Sequence, residues 1–398
     1  MMRVLLVSHS PNDPNGGASR VYHILTDGLA ARGHEVQCLH LEDIAIPRAI
    51  RKLVHRCFLP SFMSRTAAPL LQQSRVPFDV LFSSNGMLSP LYKHLQTERV
   101  RPLLVNHAHG LTYFDKQALM SEVERGHANV SAIFRYCTGP LPLRWDTDGA
   151  RYCDLSIVQN RRDEDLLLEK GFRHVERIPL GAHPEILAAG ANAPKQADRD
   201  PLSLLWLGSW TERKGTYYLS SAFERICERF PEARLTIGGT GMTPQEIAAH
   251  FNETLREKIR VLPRVTVKEQ ITKMKENAIF LFPSLSEGFG FAALEALAMR
   301  MALVTTQTGL GGDLLVDRQH ARIIPPASAL HLADAVIELI ERPELREQLA
   351  EHARRLAQTL TTERMVSAYE RILKDALELR AGNALAVPPK RPGWKSLD

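Results

Sequence analysis

The sequence predicts an α/β protein made of two doubly wound halves in tandem. Three observations carry this expectation. Short apolar runs alternate with helical patterns from residue 3 to about residue 180. A stretch rich in Ala, Pro, Asn and Asp, ILAAGANAPKQADRDP at 186–201, then interrupts the rhythm, and the alternation restarts at 202. The chain has 398 residues, which suits about two domains of ordinary size.

In the first half, RVLLVSH (3–9) reads as a buried strand feeding the loop SPNDPNGG. A helix follows, with Val21, Ile24, Leu25 and Leu29 at helical spacing and Gly33 where a helix end favours positive φ. HEVQCLHL, FDVLFSS (78–84), PLLVNH (102–107), LSIVQN (155–160) and VERIPL (175–180) read as further strands. In the second half, LSLLWLG (202–208), ARLTIGG, IRVLP, AIFLFPS and ALVTTQT are strands, and everything from 328 is helical. Alternation of this kind implies parallel sheets covered on both faces. The division expected is 1–185 for an N-terminal Rossmann-like domain, 186–201 for a linker and 202–362 for a second Rossmann-like domain. A helix at 363–382 would cross back to the first domain, and a flexible tail would occupy 383–398.

The composition is that of an average soluble protein: 44% hydrophobic, 24% charged, net charge +5. That balance suits an anionic ligand and is too mild for a nucleic-acid binder. Five scattered cysteines without a CxxC pair indicate neither a disulfide framework nor a zinc site, and a reducing, cytoplasmic setting is expected. The N-terminus reads as a strand and is too short for a signal peptide. No run of about 20 apolar residues occurs.

Four loops at strand ends could carry chemistry. In SHSPNDPNGGAS (8–19), Gly16 and Gly17 precede a helix whose N-terminus could face an anion, although an ordinary turn explains them equally well. In GSWTERKG (208–215), Arg213 and Lys214 sit where a helix begins, which suits a phosphate or, more blandly, a solvated pair. In VNHAHGL (105–111), His107 and His109 form an H-x-H pair with no third metal ligand nearby, so a polar or acceptor-side role is favoured. In PSLSEGFGFAALEAL (283–297), Glu287 lies in a glycine-rich turn and Glu295 in an apolar helix, where an acid is costly unless it has partners. A carboxylate suits a pair of neighbouring hydroxyls, so one acid could hold a hexose and the other a ribose.

Taken in this order, the four loops resemble the retaining glycosyltransferases of family 4, over roughly residues 3–380. The Glu-x7-Glu pattern in SEGFGFAALEAL is the most specific mark. GGASRVYHILTDGLAARGHEV, ERKG and PPASALHLADAVIELIERPELREQLAEHAR support it. The resemblance implies the GT-B fold, with two Rossmann-like domains facing a central cleft, 1–185 binding the acceptor and 202–362 the nucleotide sugar. It implies that Glu287 holds the donor sugar and Glu295 the ribose, and that Lys214 and Arg213 bind the diphosphate. Gly288, Phe289 and Gly290 would line the sugar, Gly16 and Gly17 would approach the diphosphate, and His109 would sit near the reacting carbon. The sequence departs from the family pattern at Ser209, where an arginine is frequent, at MRMA (299–302) and at LGAH (180–183).

The activity implied is transfer of a hexose from a uridine or guanosine diphosphate sugar to a glycan or lipid-linked glycan, in polysaccharide or cell-envelope biosynthesis, with anomeric retention. Lys214, Arg213 and helix N-termini would stabilise the leaving diphosphate. No Asp-x-Asp motif stands in a plausible loop, so neither a metal nor another cofactor is expected. The other readings are a non-hydrolysing nucleotide-sugar epimerase and a non-catalytic nucleotide-binding scaffold. Between Asp43 and Asp79 basic residues accumulate without an acid, and Ile46, Ile50, Leu53, Val54 and Cys57 recur at helical spacing. This segment, 44–78, is a candidate peripheral contact with anionic membrane, against the alternative of a helix packed on the sheet.

Overall fold

A computed structural model of the chain describes residues 1–381; the expected tail at 383–398 lies outside the described residues. The chain divides into two compact units. The first holds residues 1–116, 130–179 and the stretch from Glu363, and the second holds Gln117–Asn129 and Leu180–Thr362.

The first unit contains six strands: β1 (Arg3–Val7), β2 (Glu35–Leu39), β3 (Val80–Ser84), β4 (Leu103–His107), β5 (Leu155–Val158) and β6 (Val175–Arg177). All pairings are parallel, in the order β2-β1-β3-β4-β5-β6. The central strands are apolar on both faces because helices cover both, and β3, β4 and β5 are buried throughout. Leu5, Val7, Leu81 and Leu104 form one core with Met63 and Tyr92 from the covering helices. The chain leaves β1 for β2 on one side and returns to β3 on the other, so the strand order reverses between β1 and β3.

The helix Thr362–Ala381 completes this unit from Glu363 onward. Its Val366 packs on Gly28, where a Cβ would come within 2.5 Å of the valine methyl. Its Glu370 pairs with Arg32 at 2.9 Å and with His34 at 3.0 Å.

The second unit also has six parallel strands: β7 (Ser203–Leu207), β8 (Arg234–Gly238), β9 (Ile259–Leu262), β10 (Ile279–Phe282), β11 (Ala302–Thr306) and β12 (Arg322–Ile324). Their order is β12-β11-β10-β7-β8-β9, so the reversal lies between β7 and β10. The fold class expected from the alternation is therefore the observed one. β12 has no counterpart in the sequence reading, because it is three residues long and only Ile324 is buried.

The stretch 186–201, expected as a linker, is partly ordered into the helix Pro184–Ala191 and a short 3-10 turn, Gln196–Asp198. Gln196 is fully buried and its amide donates to the carbonyls of Ala278 and Arg300. Arg199 caps the carbonyls of Met274, Asn277 and Met299. Polar composition was the basis of the linker reading, and here the polar side chains satisfy buried backbone groups.

Residues Gln117–Asn129 join the second unit through one acid. Glu122 is 2% exposed and accepts from Tyr218 Oη at 2.8 Å and from Arg125 at 2.7 Å. His127 stacks on Tyr217 with ring centroids 3.6 Å apart.

The basic segment does not form a single amphipathic face. It runs through a 3-10 turn (Arg48–Ile50), a π-helical turn (Val54–Phe58) and the helix Leu59–Gln73. Ile46 and Val54 pack into the first unit's core, whereas Ile50, Leu53 and Phe58 are exposed beside Arg51, Lys52 and Arg56.

Candidate functional site

In an open parallel sheet, the strand-order reversal leaves a crevice at the carboxyl ends of the two strands that flank it. In the second unit those strands are β7 and β10, and the loops leaving them are 208–215 and 283–290. Both were singled out in the sequence. Close packing locks them together. Gly215 has φ +69° and caps the helix Thr216–Arg229; a Cβ there would fall 2.0 Å from the Pro283 carbonyl oxygen. The Leu285 amide donates to the Arg213 carbonyl at 2.7 Å.

This packing brings three of the candidate residues into one cluster. Lys214 Nζ lies 2.5 Å from Glu287 Oε1, and Arg213 lies 3.6 Å from Oε2 of the same carboxylate. Ser284 Oγ donates to Glu287 at 2.7 Å. Lys214 also stands over the Phe282 ring, 5.0 Å from its centroid. Burial opposes charge on Glu287, but Lys214 and Arg213, with hydrogen bonds from Lys214 and Ser284, outweigh it and hold the carboxyl below its ordinary range. Glu287 is thus a buried, charged acceptor with two cations beside it.

Gly290 (φ +104°) turns the loop into the helix Phe291–Ala298. Phe289 is buried, and its carbonyl accepts from the Leu310 amide at 2.7 Å. Glu295 lies on that helix, 1% exposed, and accepts from Gln270 Nε2 at 2.5 Å. One partner that an acid in an apolar helix requires is therefore an amide from the helix Val267–Glu276. Sequence reasoning missed Gln270, which stands 25 residues away with no local signal, and Ser284, which lies within the quoted motif but has a generic side chain.

In the first unit, Gly16 and Gly17 open the helix Gly17–Ala30 after β1, and His109 follows β4. A Cβ on Gly17 would meet no atom within 4 Å, so nothing in the protein's own packing demands a glycine there. Tyr22, on the same helix, brings its ring to 5.3 Å from that of His109. His109 Nδ1 pairs with Gln159 Nε2 at 3.1 Å, and His107 Nε2 pairs with Tyr369 Oη at 2.7 Å. Burial drives His107 down to about 3, and His109 well below its ordinary range with help from His107 and His9, so both rings are neutral.

Among the described residues no group of three His, Cys, Asp or Glu is placed to hold a metal ion. The DTD sequence at 146–148 lies inside the helix Pro140–Tyr152, where Asp146 accepts from the Thr112 amide at 2.7 Å.

Residues 191–356 match the family described as Glycosyl transferases group 1. The phosphatidyl-myo-inositol mannosyltransferase of Mycobacterium leprae is 28% identical over 203 residues, 49% of this chain and 53% of that protein. The chain spans about half the length of the curated relatives it matches, 47% and 41% for the first two. Among solved structures, sucrose-phosphate synthase from Thermosynechococcus elongatus superposes with a TM-score of 0.74 at 18% identity, over 96% of this chain and 100% of that one. Anabaena HepE, solved with UDP and glucose, gives 0.66 at 15% identity, over 94% and 100%. The two six-stranded parallel sheets are those of the GT-B fold, and residues 191–356, all within the second unit, carry the similarity to the glycosyl transferases group 1 family.

Proposed function

We propose that the chain is a retaining glycosyltransferase that moves a hexose from a nucleotide diphosphate sugar to a hydroxyl of a glycan or lipid-linked glycan. The observation that carries this reading is the cluster at the β7/β10 reversal, where Lys214 and Arg213 flank the buried Glu287. The departing diphosphate gains negative charge as the glycosidic bond breaks. Lys214 and Arg213 stabilise that charge in a site of low dielectric, where such stabilisation is strongest. Glu287 accepts hydrogen bonds from the sugar hydroxyls, and Glu295 accepts them from the ribose, with Gln270 holding its carboxylate in place. Gly288, Phe289 and Gly290 line the sugar, and Gly16 and Gly17 offer backbone N–H groups to the diphosphate. The acceptor oxygen attacks the face from which the diphosphate leaves, and a phosphate oxygen takes its proton, so the configuration is retained without a protein nucleophile. No metal is required in this scheme, because side-chain cations and helix termini carry the neutralisation.

The UDP and glucose bound by HepE support a nucleotide-sugar donor, and the mannosyltransferase's phosphatidyl-myo-inositol supports a lipid acceptor. The exposed Ile50, Leu53 and Phe58 beside Arg51, Lys52 and Arg56 would bring the chain to the cytoplasmic face of an anionic membrane. Among the described residues no helix is long and apolar enough to cross one.

The test pairs UDP- and GDP-hexoses with glycan and lipid-linked glycan acceptors in the presence of EDTA. Nucleoside diphosphate release and product anomeric configuration are read by NMR. Acceptor-dependent release with a retained anomer is expected. An inverted anomer removes the retaining mechanism, and a new nucleotide sugar formed without acceptor makes the chain an epimerase.

A further inference from the structure

Beside the carboxyl ends of β4 and β5 the first unit carries a chain of four polar side chains, Tyr369, His107, Gln159 and His109. Three hydrogen bonds link them. Tyr369 Oη lies 2.7 Å from His107 Nε2, and Gln159 Nε2 lies 3.4 Å from His107 Nε2 and 3.1 Å from His109 Nδ1. Tyr369, His107 and Gln159 are buried, and the Nε2 of His109 is buried without a hydrogen-bond partner among the described residues.

Proton positions follow from what each group can offer. Tyr369 has a single O–H and, among the described residues, His107 Nε2 is its hydrogen-bond partner. His107 Nδ1 is buried without a partner among the described residues, so either arrangement leaves one buried donor unpaired, the phenol O–H or Nδ1–H, and donor and acceptor strength decide: a phenol is the better donor and an imidazole nitrogen the better acceptor. Tyr369 therefore donates, and His107 Nε2 carries a lone pair. An amide oxygen of Gln159 turned toward that nitrogen would set lone pair against lone pair, so Gln159 presents its NH2. The two N–H bonds of one NH2 group diverge, and the second reaches His109 Nδ1. That nitrogen is then also an acceptor, and the neutral His109 ring holds its single hydrogen on Nε2.

We infer that Gln159 and Tyr369 are positioning residues that fix His109 as the Nε2–H tautomer, so that His109 offers a hydrogen-bond donor to its ligand and does not take a proton from it. The biological weight of this inference rests on the proposed transfer reaction, but the tautomer itself does not. An unpaired buried N–H is a fixed demand for an acceptor atom, such as a sugar or phosphate oxygen. His109 in this state is no base for the acceptor hydroxyl.

The test reads the ring directly. Long-range 1H–15N correlation spectra of the ligand-free full chain, with His109 assigned by comparison with His109→Asn, give the tautomer at neutral pH. The wild-type protein should show His109 protonated at Nε2 only. Gln159→Glu replaces the donor with an acceptor and should move the proton to Nδ1 or yield the doubly protonated ring. A wild-type ring protonated at Nδ1 overturns the inference without any variant. An unchanged Nε2–H ring in a folded Gln159→Glu protein removes Gln159 from the role. Tyr369→Phe frees His107 to carry its own Nε2–H and lets the Gln159 amide turn over, so the Nδ1–H form of His109 should appear; its absence removes Tyr369. None of these spectra requires turnover, so failure of the tautomer assignment and failure of the transferase reading are separable.

Discussion

Lys214 and Glu287, 73 positions apart, meet at 2.5 Å, with their side chains 13% and 6% exposed. In the proposed reaction Lys214 faces the phosphate and Glu287 the sugar, so the pair stands where the two would be joined. Removing one partner from such a pair strands the other in a buried site, which costs about 3–5 kcal/mol. Lys214→Ala should therefore lower both the melting temperature and the transfer rate, the latter by about 100-fold or more. Adding Glu287→Gln should recover most of the melting temperature and none of the rate. Calorimetry and donor turnover on both variants check this; recovery of the rate would deny Lys214 its electrostatic role.

Glu295 makes a different demand. A carboxylate has about four acceptor sites, and the Gln270 amide occupies one of them. Glu295→Ala should weaken nucleoside diphosphate binding by about 10–100-fold, the worth of one or two hydrogen bonds to a charged group. Isothermal titration reads the affinity. A large loss of melting temperature with unchanged affinity would make Glu295 a structural acid.

Gly17 separates ligand contact from fold. Its Cβ would enter open space, and it sits at the first position of a helix. Gly17→Ala should stabilise the protein slightly, by about 0.4–1 kcal/mol through the unfolded chain. If the backbone there approaches the diphosphate, the same change should raise the donor KM several-fold. Unchanged kinetics would leave this turn without a ligand.

Two buried acids set a pH dependence. Burial raises Asp146 to about 6 and Asp163 to about 8, against partial compensation from their hydrogen bonds, which include Thr112 and Asn85 for Asp146, and Asn160 and Leu111 for Asp163. A carboxyl whose folded pKa is raised binds more protons folded than unfolded. Its contribution is full below the unfolded value near 4 and is lost as pH rises toward the folded value, at up to about 1.4 kcal/mol per pH unit. Asp163→Asn should therefore gain melting temperature relative to the wild type progressively from pH 4 to 8. A constant difference across that range would show that Asp163 titrates normally.

Vesicle sedimentation checks the basic segment. Leu53→Ser with Phe58→Ser should reduce sedimentation with anionic vesicles at low salt, because both side chains are exposed beside Arg51, Lys52 and Arg56. Equal sedimentation would place membrane contact elsewhere or nowhere.

Much of the fold could be read in advance because strands such as Leu103–His107 and Val80–Ser84 are buried on both faces and so appear as unbroken apolar runs. The Lys214–Glu287 meeting was accessible for a related reason. Both residues stand in loops that leave the strands flanking the order reversal, and the fold alone draws those loops together. What escaped notice was held by contacts with no local pattern. Gln270 reaches Glu295 from another helix, and Tyr369 reaches His107 across 262 positions. The residues at 117–129 carry no motif, and nothing in their spacing tells that Glu122 belongs with Tyr218.

The helix that carries Tyr369 also fixes an order of assembly. During synthesis β1 through β6 emerge first, yet Val366, Tyr369 and Glu370 of the first unit emerge only after the whole of the second. The second unit can close on residues 117–129 and 180–362 while the first still lacks the side chains that seal Gly28 and His107. A ribosome whose exit tunnel still held the residues from 363 onward would thus display a finished second half and an open first half, the reverse of the order in which the polypeptide is made.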